Sequence, residues 1–306
     1  MSTLDPILLE ILRHKLTSIT EEMGITLQRT GRTLYVKETA DFGTAIADLN
    51  GKFFAFPVGI GVAGFVDLDC KPAIDYVGPL QDGDVIMTNH PYESGGLCTH
   101  TPDLNLVRPY FHNGKVVGYG WSFLHSADVG GKVPSSVSPT NSEAYQEGLL
   151  IPPMKIVRGG EFNPDLLTLY RANVRTPDIN IGDIKAMLAA LEVGQRRVTE
   201  MITQYGFECF MASQYALIEY GKLKAREAFR QIPDGDYDFW DYLDDDSFTQ
   251  IPVRIRLRMQ VKDGLIHLDY SGTDSQTQGP FNVVTLGRSH PWVTLILLHY
   301  VISKDP

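Results

Sequence analysis

Two histidines and two aspartates lie where predicted β-strands begin or end, and their side chains could bind a divalent metal. His100 and Asp103 have the spacing H-x-x-D. His125 ends a strand-like segment, and Asp41 immediately precedes another. Imidazole nitrogens and carboxylate oxygens together suit zinc, manganese or iron. The alternative for each residue is a loop histidine, a satisfied core histidine, a cap or a salt-bridge partner.

A predicted β-hairpin brings three of these residues together. The Asn-Gly pair at 113–114 separates two apolar runs, a strong signal for a two-residue turn. In a regular hairpin His125 then lies opposite Pro102, and His100 lies diagonally from it on the same face. Asp103 has the parity of the other face, so it reaches the histidines only if a turn or bulge at Pro102 redirects it.

The remaining pattern predicts the α+β class: antiparallel β-hairpins forming mixed sheets, with a helical segment in the middle. Further hairpins are expected around Asn50-Gly51 and Asp263-Gly264, and an apolar helix over 292–302. The last segment is expected to begin a domain that missing or partner residues complete. The predicted segments are a metal-binding α+β domain over 1–175, a helical segment over 176–232 and a β-rich segment over 233–306.

Composition excludes several classes of protein. The chain has 306 residues and a formal net charge of −10, which argues against nucleic-acid binding. The sequence contains no uncharged apolar run of membrane-spanning length, and its start does not resemble a signal peptide. Three widely spaced cysteines form neither a zinc ribbon nor a disulfide framework. A cytoplasmic location without membrane contact is therefore expected.

Other motifs are weaker. Residues 59–64 match G-x-G-x-x-G, but they follow a hairpin strand, whereas a dinucleotide fingerprint requires a βαβ unit. The sequence has no Gly-x-x-x-x-Gly-Lys-Ser/Thr phosphate loop. Cys98 lies near the histidines and could be a nucleophile or a soft ligand, although a small loop residue is the favoured interpretation.

Several motifs in a common order make the sequence resemble the hydantoinase B/5-oxoprolinase family, which includes the large subunits of acetone and acetophenone carboxylases. They are DGDVIMTNHPY, THTPDLNLVRPYF, LHSADVGG, EGLLIPPMKI, GDIKAMLAAL and DYSGTDSQTQGPFN. The resemblance implies a divalent metal held by His100, Asp103 and His125, with Asp41 as a further ligand. The stretch NHPYESGGLCTH departs from the family pattern, with His90 in place of an acid, so the substrate is not implied.

The resemblance also implies a hydantoinase A-like partner subunit that binds ATP, and hence a hetero-oligomer. The predicted function is the metal-binding subunit of an ATP-dependent amidohydrolase that opens a hydantoin, 5-oxoproline or another lactam. A ketone carboxylase subunit is the alternative, followed by an inactive fragment and a two-His-one-carboxylate iron oxygenase. Zinc is the preferred metal, then manganese or iron.

Two acidic residues are further catalytic candidates. Asp128, three residues after His125, could accept a hydrogen bond from an imidazole N–H, or could cap the turn before the following glycines. Glu147, in the segment QEGLLIPP, is a weaker candidate for a general base.

Overall fold

The computed structural model describes residues 4–62, 68–287 and 289–304, and it confirms the α+β class. The helices are α1 (Pro6–Thr30), α2 (Leu34–Lys37), α3 (Lys71–Val77), α4 (Pro164–Asn173), α5 (Pro177–Tyr205), α6 (Phe207–Phe229) and α7 (Pro291–Lys304). The strands are β1 (Phe42–Ala47), β2 (Phe53–Ala55), β3 (Val85–Thr88), β4 (Asp103–His112), β5 (Lys115–His125), β6 (Met154–Arg158), β7 (Glu161–Phe162), β8 (Gly235–Leu243), β9 (Val253–Lys262) and β10 (Leu265–Asp269). Among the described helices, none is both long and apolar enough to cross a membrane.

Helix α1 forms because its start is capped and one of its faces is apolar. The Asp5 carboxylate accepts hydrogen bonds from the backbone amides of Ile7 (2.9 Å) and Leu8 (3.1 Å). Leu12 and Leu16 on α1 are fully buried, and α1 packs against α5. These two helices cover the sheet that carries the candidate metal ligands.

The larger sheet has seven antiparallel strands in the order β2-β1-β5-β4-β3-β6-β7. The predicted hairpins β1–β2 and β4–β5 both form within it. Strands β4 and β5 lie near its centre, and most of their side chains are buried. Trp121 and Phe123 on β5 pack with Phe53 of β2 in the core.

The pairing of β4 with β5 corrects the predicted register. Beside the turn the register is as predicted, but it shifts by one residue between Tyr110 and Phe111. Asp103 consequently pairs directly with His125, where the regular register places Pro102. The register shift that pairs Asp103 with His125 therefore lies near the hairpin turn and not at Pro102. Of the two alternatives expected at Pro102, the turn is present, since the Asp103 amide donates to the His100 carbonyl.

Two glutamines from helices hydrogen-bond to the backbone at this bulge. Gln195 on α5 accepts a hydrogen bond from the Phe111 amide (2.9 Å) and donates one to the Phe111 carbonyl (3.0 Å). Gln214 on α6 donates to the carbonyl of Val117 (2.7 Å). Because a bulge disrupts the ladder locally, these side chains satisfy buried backbone groups that would otherwise be costly.

The described residues divide into two compact units, and the second contains a three-stranded antiparallel sheet in the order β10-β9-β8. The predicted hairpin at Asp263-Gly264 joins β9 to β10. The arginine side chains on one face of β9 are partly exposed and pair with aspartates of β8: Arg256 with Asp238 (3.0 Å), and Arg258 with Asp236 (2.9 Å). Residues of the predicted helical segment 176–232 belong to both units, and the predicted three-part division stays a prediction.

Candidate metal centre

His100, Asp103 and His125 form a compact cluster of candidate metal ligands. The Nε2 atom of His100 lies 3.1 Å from Oδ1 of Asp103, and Nδ1 of His125 lies 3.7 Å from the same oxygen. One ligand atom from each residue lies within 4.8 Å of the other two. The two imidazole rings are 5.0 Å apart between centroids. These separations allow all three side chains to bind one ion.

The ends of β4 and β5 position the cluster. Asp103 begins β4 and His125 ends β5, so the shifted register places them side by side. His100 lies in the turn before β4, where its carbonyl accepts a hydrogen bond from the Asp103 amide (3.1 Å). The Thr99 hydroxyl donates to Asp103 Oδ2 (2.7 Å) and leaves Oδ1 facing the histidines.

Asp41 lies beside the cluster at the start of β1. Its Oδ2 atom is 3.9 Å from Nδ1 of His125, and its carbonyl accepts a hydrogen bond from the His125 amide (3.0 Å). The Asp41 amide in turn donates to the carbonyl of Tyr35 (2.9 Å), whose ring lies 4.7 Å from the His125 ring. Asp41 is therefore adjacent to the three-residue cluster, and its role as a fourth ligand stays a prediction.

The electrostatics of the cluster favour an ionised aspartate. Burial acts to raise the pKa of Asp103, but hydrogen bonds from His100, His125 and Thr99 outweigh it and hold the pKa below its ordinary value. Burial acts to lower the pKa of His100, but the hydrogen bond with Asp103 raises it overall. Burial raises the pKa of Asp41, and the neighbouring His125 only partly offsets this. A buried carboxylate between two imidazoles fits a divalent cation in both charge and donor type.

Glu147 lies next to this cluster. Its carboxylate Oε2 accepts hydrogen bonds from the Thr101 amide (3.3 Å) and hydroxyl (3.4 Å). Its backbone carbonyl accepts a second bond from the same hydroxyl (3.0 Å). Thr101 directly follows His100, so the structure brings the predicted base close to the predicted ligands.

Asp128 has other partners. Its carboxylate accepts hydrogen bonds from the amides of Gly130 (2.9 Å) and Ser135 (3.0 Å), and from the amide (3.0 Å) and guanidinium (2.8 Å) of Arg175. The bond to Gly130 is the turn cap that the sequence offers as the alternative to a catalytic role. The predicted acceptor role toward an imidazole is not tested and stays a prediction.

Cys98 is buried, and its surroundings disfavour the role of a nucleophile. Burial raises the pKa of its thiol far above the ordinary value, which disfavours the reactive thiolate. Its sulfur accepts a hydrogen bond from Asn105 Nδ2 (3.1 Å), and Asn105 in turn accepts one from Trp121. Of the 59–64 motif, residues 63 and 64 lie outside the described residues, and a Cβ on Gly61 would meet the Phe42 carbonyl oxygen at 2.5 Å.

Sequence reasoning missed three residues that build the site. Thr99 orients Asp103, and Asn89 donates to the carbonyls of Thr101 (2.7 Å) and Leu149 (2.9 Å). Arg175 holds the loop that follows His125. Asn89 and Thr99 lie in the family-like segments DGDVIMTNHPY and THTPDLNLVRPYF, and Arg175 lies in a further one, Asn-Val-Arg-Thr-Pro at 173–177. The sequence near these residues does not indicate which groups they contact.

Comparisons with known proteins find a matching family and structures of similar fold. The family described as hydantoinase B/oxoprolinase matches residues 5–306. The caprolactamase subunit beta of Pseudomonas jessenii is 29% identical over 282 residues, covering 88% of this chain and 46% of that protein. The crystal structure of the ATP-dependent caprolactamase from Pseudomonas jessenii has a TM-score of 0.80 at 26% identity, covering 91% of this chain and 48% of that chain.

A nucleotide-free acetone carboxylase structure has a TM-score of 0.86 at 18% identity, covering 98% of this chain and 41% of that chain. At this level of identity the likeness shows a shared fold. The chain spans about half the length of relatives that it matches.

Proposed function

The chain belongs to the hydantoinase B/oxoprolinase family, and we propose that it is the metal-binding subunit of an ATP-dependent enzyme that opens a cyclic amide. The observation that carries this proposal is the buried Asp103 carboxylate between the imidazoles of His100 and His125. The similar protein named caprolactamase subunit beta supports a lactam as the substrate class. Hydantoin and 5-oxoproline contain the same cyclic amide bond.

ATP is bound in this proposal by a partner subunit of the hydantoinase A type, so the working enzyme is a hetero-oligomer. The similar caprolactamase chain is named a subunit, and the caprolactamase structure is described as ATP-dependent. Opening an unstrained lactam is slow without activation, which makes coupling to ATP chemically sensible.

His100, Asp103 and His125 would hold the ion, with Asp41 as the fourth ligand. A bound divalent ion supplies Lewis acidity toward the amide carbonyl and lowers the pKa of a coordinated water. Zinc is the proposed ion, followed by manganese and iron, since this mixture of nitrogen and oxygen donors suits all three. Thr99 keeps the Asp103 carboxylate in the orientation that faces both imidazoles.

Glu147 is the proposed general base. The amide and the hydroxyl of Thr101, the residue after His100, both donate to its carboxylate and fix its position. In that position it would accept a proton from the attacking water and return it to the amide nitrogen as the ring opens. The ring of Tyr35, against His125, would shield one side of the centre from solvent.

The experiment combines metal analysis with assays of the chain together with its ATP-binding partner. Lactams of different ring size and hydantoin are supplied with and without ATP, and a ketone is supplied in parallel with and without bicarbonate. We expect one equivalent of metal and ATP-dependent lactam opening. Bicarbonate-dependent consumption of the ketone instead would favour the carboxylase alternative, whose fold this chain shares.

Alanine variants of the histidines test the site itself. His100→Ala and His125→Ala are expected to lose the metal and at least about 100-fold in turnover, because each removes a ligand of the ion. His14→Ala is the matched control, since this histidine on α1 has a side chain that is 68% exposed. Full activity without metal in both site variants would show that the site assignment is wrong.

A further inference from the structure

We propose that Arg175 is a positioning residue of this centre, whose guanidinium fixes the loop 128–135 against the segment that carries Glu147. Arg175 lies between α4 and α5 and touches none of the candidate metal ligands among its described hydrogen bonds. It therefore acts through other residues. Its catalytic meaning depends on the proposed function, in which Glu147 is the base.

One guanidinium contacts four acceptors in this loop. Nη1 of Arg175 donates to the Asp128 carboxylate (2.8 Å) and to the carbonyls of Gly130 (3.1 Å) and Val133 (2.9 Å). Nη2 donates to the Gly131 carbonyl (2.7 Å). Only arginine has the planar, multiple donors that such a set requires, whereas lysine presents a single charged point. The loop following His125 is thus tied to one side chain.

The same loop is held directly against the segment 146–149. The Lys132 amide donates to the Gln146 carbonyl (2.8 Å), and the Leu149 amide donates to the Val129 carbonyl (2.8 Å). A Cβ on Gly131 would collide with the Gln146 carbonyl oxygen, which leaves no room for a side chain between the two backbones. A displacement of the loop would therefore be transmitted to this segment.

Glu147 lies in the middle of that segment, and its contacts reach the cluster. Its carboxylate and carbonyl both accept hydrogen bonds from Thr101, the neighbour of His100. Asn89 also joins Thr101 to Leu149 by donating to both of their carbonyls. A continuous set of hydrogen bonds thus runs from Arg175 to Glu147, and the geometry of the base depends on the arginine.

The first test uses Arg175→Lys, which keeps the charge but not the several donors. With the ATP-binding partner and a lactam, we expect kcat to fall about 10- to 100-fold while KM changes by less than about 2-fold, because a displaced base costs turnover more than binding. Arg171→Lys is the matched control, since Arg171 on α4 pairs only with Asp178 at the surface among its described contacts, at 2.6 Å. Equal kcat values in the two variants would overturn the proposal.

A double variant separates positioning from a general loss of structure. In the background of Glu147→Gln, Arg175→Lys is expected to lower kcat by no more than about 2-fold, because the base that the arginine positions is already absent. Two losses that multiply would show that Arg175 acts by another route and would overturn the proposal. Failure of Arg175→Lys to fold, with Arg171→Lys folded, would make Arg175 a folding determinant and overturn it equally.

A measurement that needs no substrate keeps this test distinct from that of the proposed function. Amide hydrogen exchange over residues 98–103 and 144–150 should be at least about 10-fold faster in Arg175→Lys than in Arg171→Lys, since local opening becomes easier. Equal exchange would overturn the positioning role even in an inactive protein. Faster exchange in a protein that neither binds zinc nor opens lactams would instead overturn the proposed function alone.

Discussion

Two hairpins of this protein start from equivalent turns, yet only one keeps the register that its turn predicts. Strands β9 and β10 pair regularly from Leu265 opposite Lys262 to Asp269 opposite Arg258. Strands β4 and β5 shift by one residue soon after the turn. The β9–β10 hairpin is largely solvated, whereas most side chains of the β4–β5 hairpin are buried in the seven-stranded sheet.

The difference shows what burial adds to a turn signal. In the solvated hairpin, unpaired backbone groups can bind water, so the turn alone sets the pairing. In the buried hairpin, Gln195 and Gln214 supply hydrogen bonds at the bulge and stabilise the shifted register. A shift of one residue exchanges the two faces of a strand. Here that exchange brings Asp103 to His125.

The largest effect is expected from removing the negative charge of Asp103, which the register shift places beside His125. Asp103→Asn should weaken metal binding by at least about 100-fold, because the neutral amide replaces the buried carboxylate between the imidazoles. Isothermal titration with zinc measures the affinity. Asp269→Asn is the matched control, since Asp269 is likewise a terminal residue of a hairpin strand but pairs with Arg258 in the solvated sheet. Equal zinc affinities in both variants would remove Asp103 from the site.

A smaller effect is expected at the bulge itself. Gln214→Leu should destabilise the protein by about 1–3 kcal/mol, because it leaves the buried Val117 carbonyl without its described side-chain donor. Gln260→Leu on β9 loses only an exposed hydrogen bond with Asp236 and should cost less than about 0.5 kcal/mol. Urea unfolding compares the two. If both glutamines prove equally dispensable, the helices do not stabilise the shifted register.

The smallest effect is expected on the pH dependence of thermal stability, when the buried Asp84 is compared with the exposed Asp236. Burial opposes ionisation of Asp84, but Lys155 and two backbone amides hold its pKa below the ordinary value. A lowered pKa contributes stability that is complete above the unfolded value, about 3.9, and is lost as pH falls through the folded value. Asp84→Asn should therefore melt about 2–4 °C lower at pH 7.

The gap between Asp84→Asn and the wild-type protein should close as the pH falls below about 4. Asp236→Asn at the surface, next to Arg258, is expected to change the melting temperature little at either pH. Thermal melts at several pH values provide the measurement. A gap that persists unchanged at low pH would contradict the role given to the Asp84 charge.

Much of the fold follows from local patterns. The three hairpin turns, the helices within 176–232, the helix near 292–302 and the α+β class agree with the sequence pattern. Strand β8 carries aspartates at several positions, which lowers its β propensity, and it is not predicted as a separate strand. Its aspartates are stabilised there by the arginines of β9, a cross-strand effect that no local window contains.

Local sequence patterns identify the candidate ligands, because the H-x-x-D spacing and the strand-end position of His125 are local properties. The face on which Asp103 lies, the position of Glu147 and the contacts of Arg175 with the loop after His125 are set by tertiary packing. Each of these depends on hydrogen bonds between residues far apart in the chain, such as Gln195 with Phe111 and Glu147 with Thr101. Such contacts form only when packing excludes water from the backbone groups involved, which makes each unmade hydrogen bond costly.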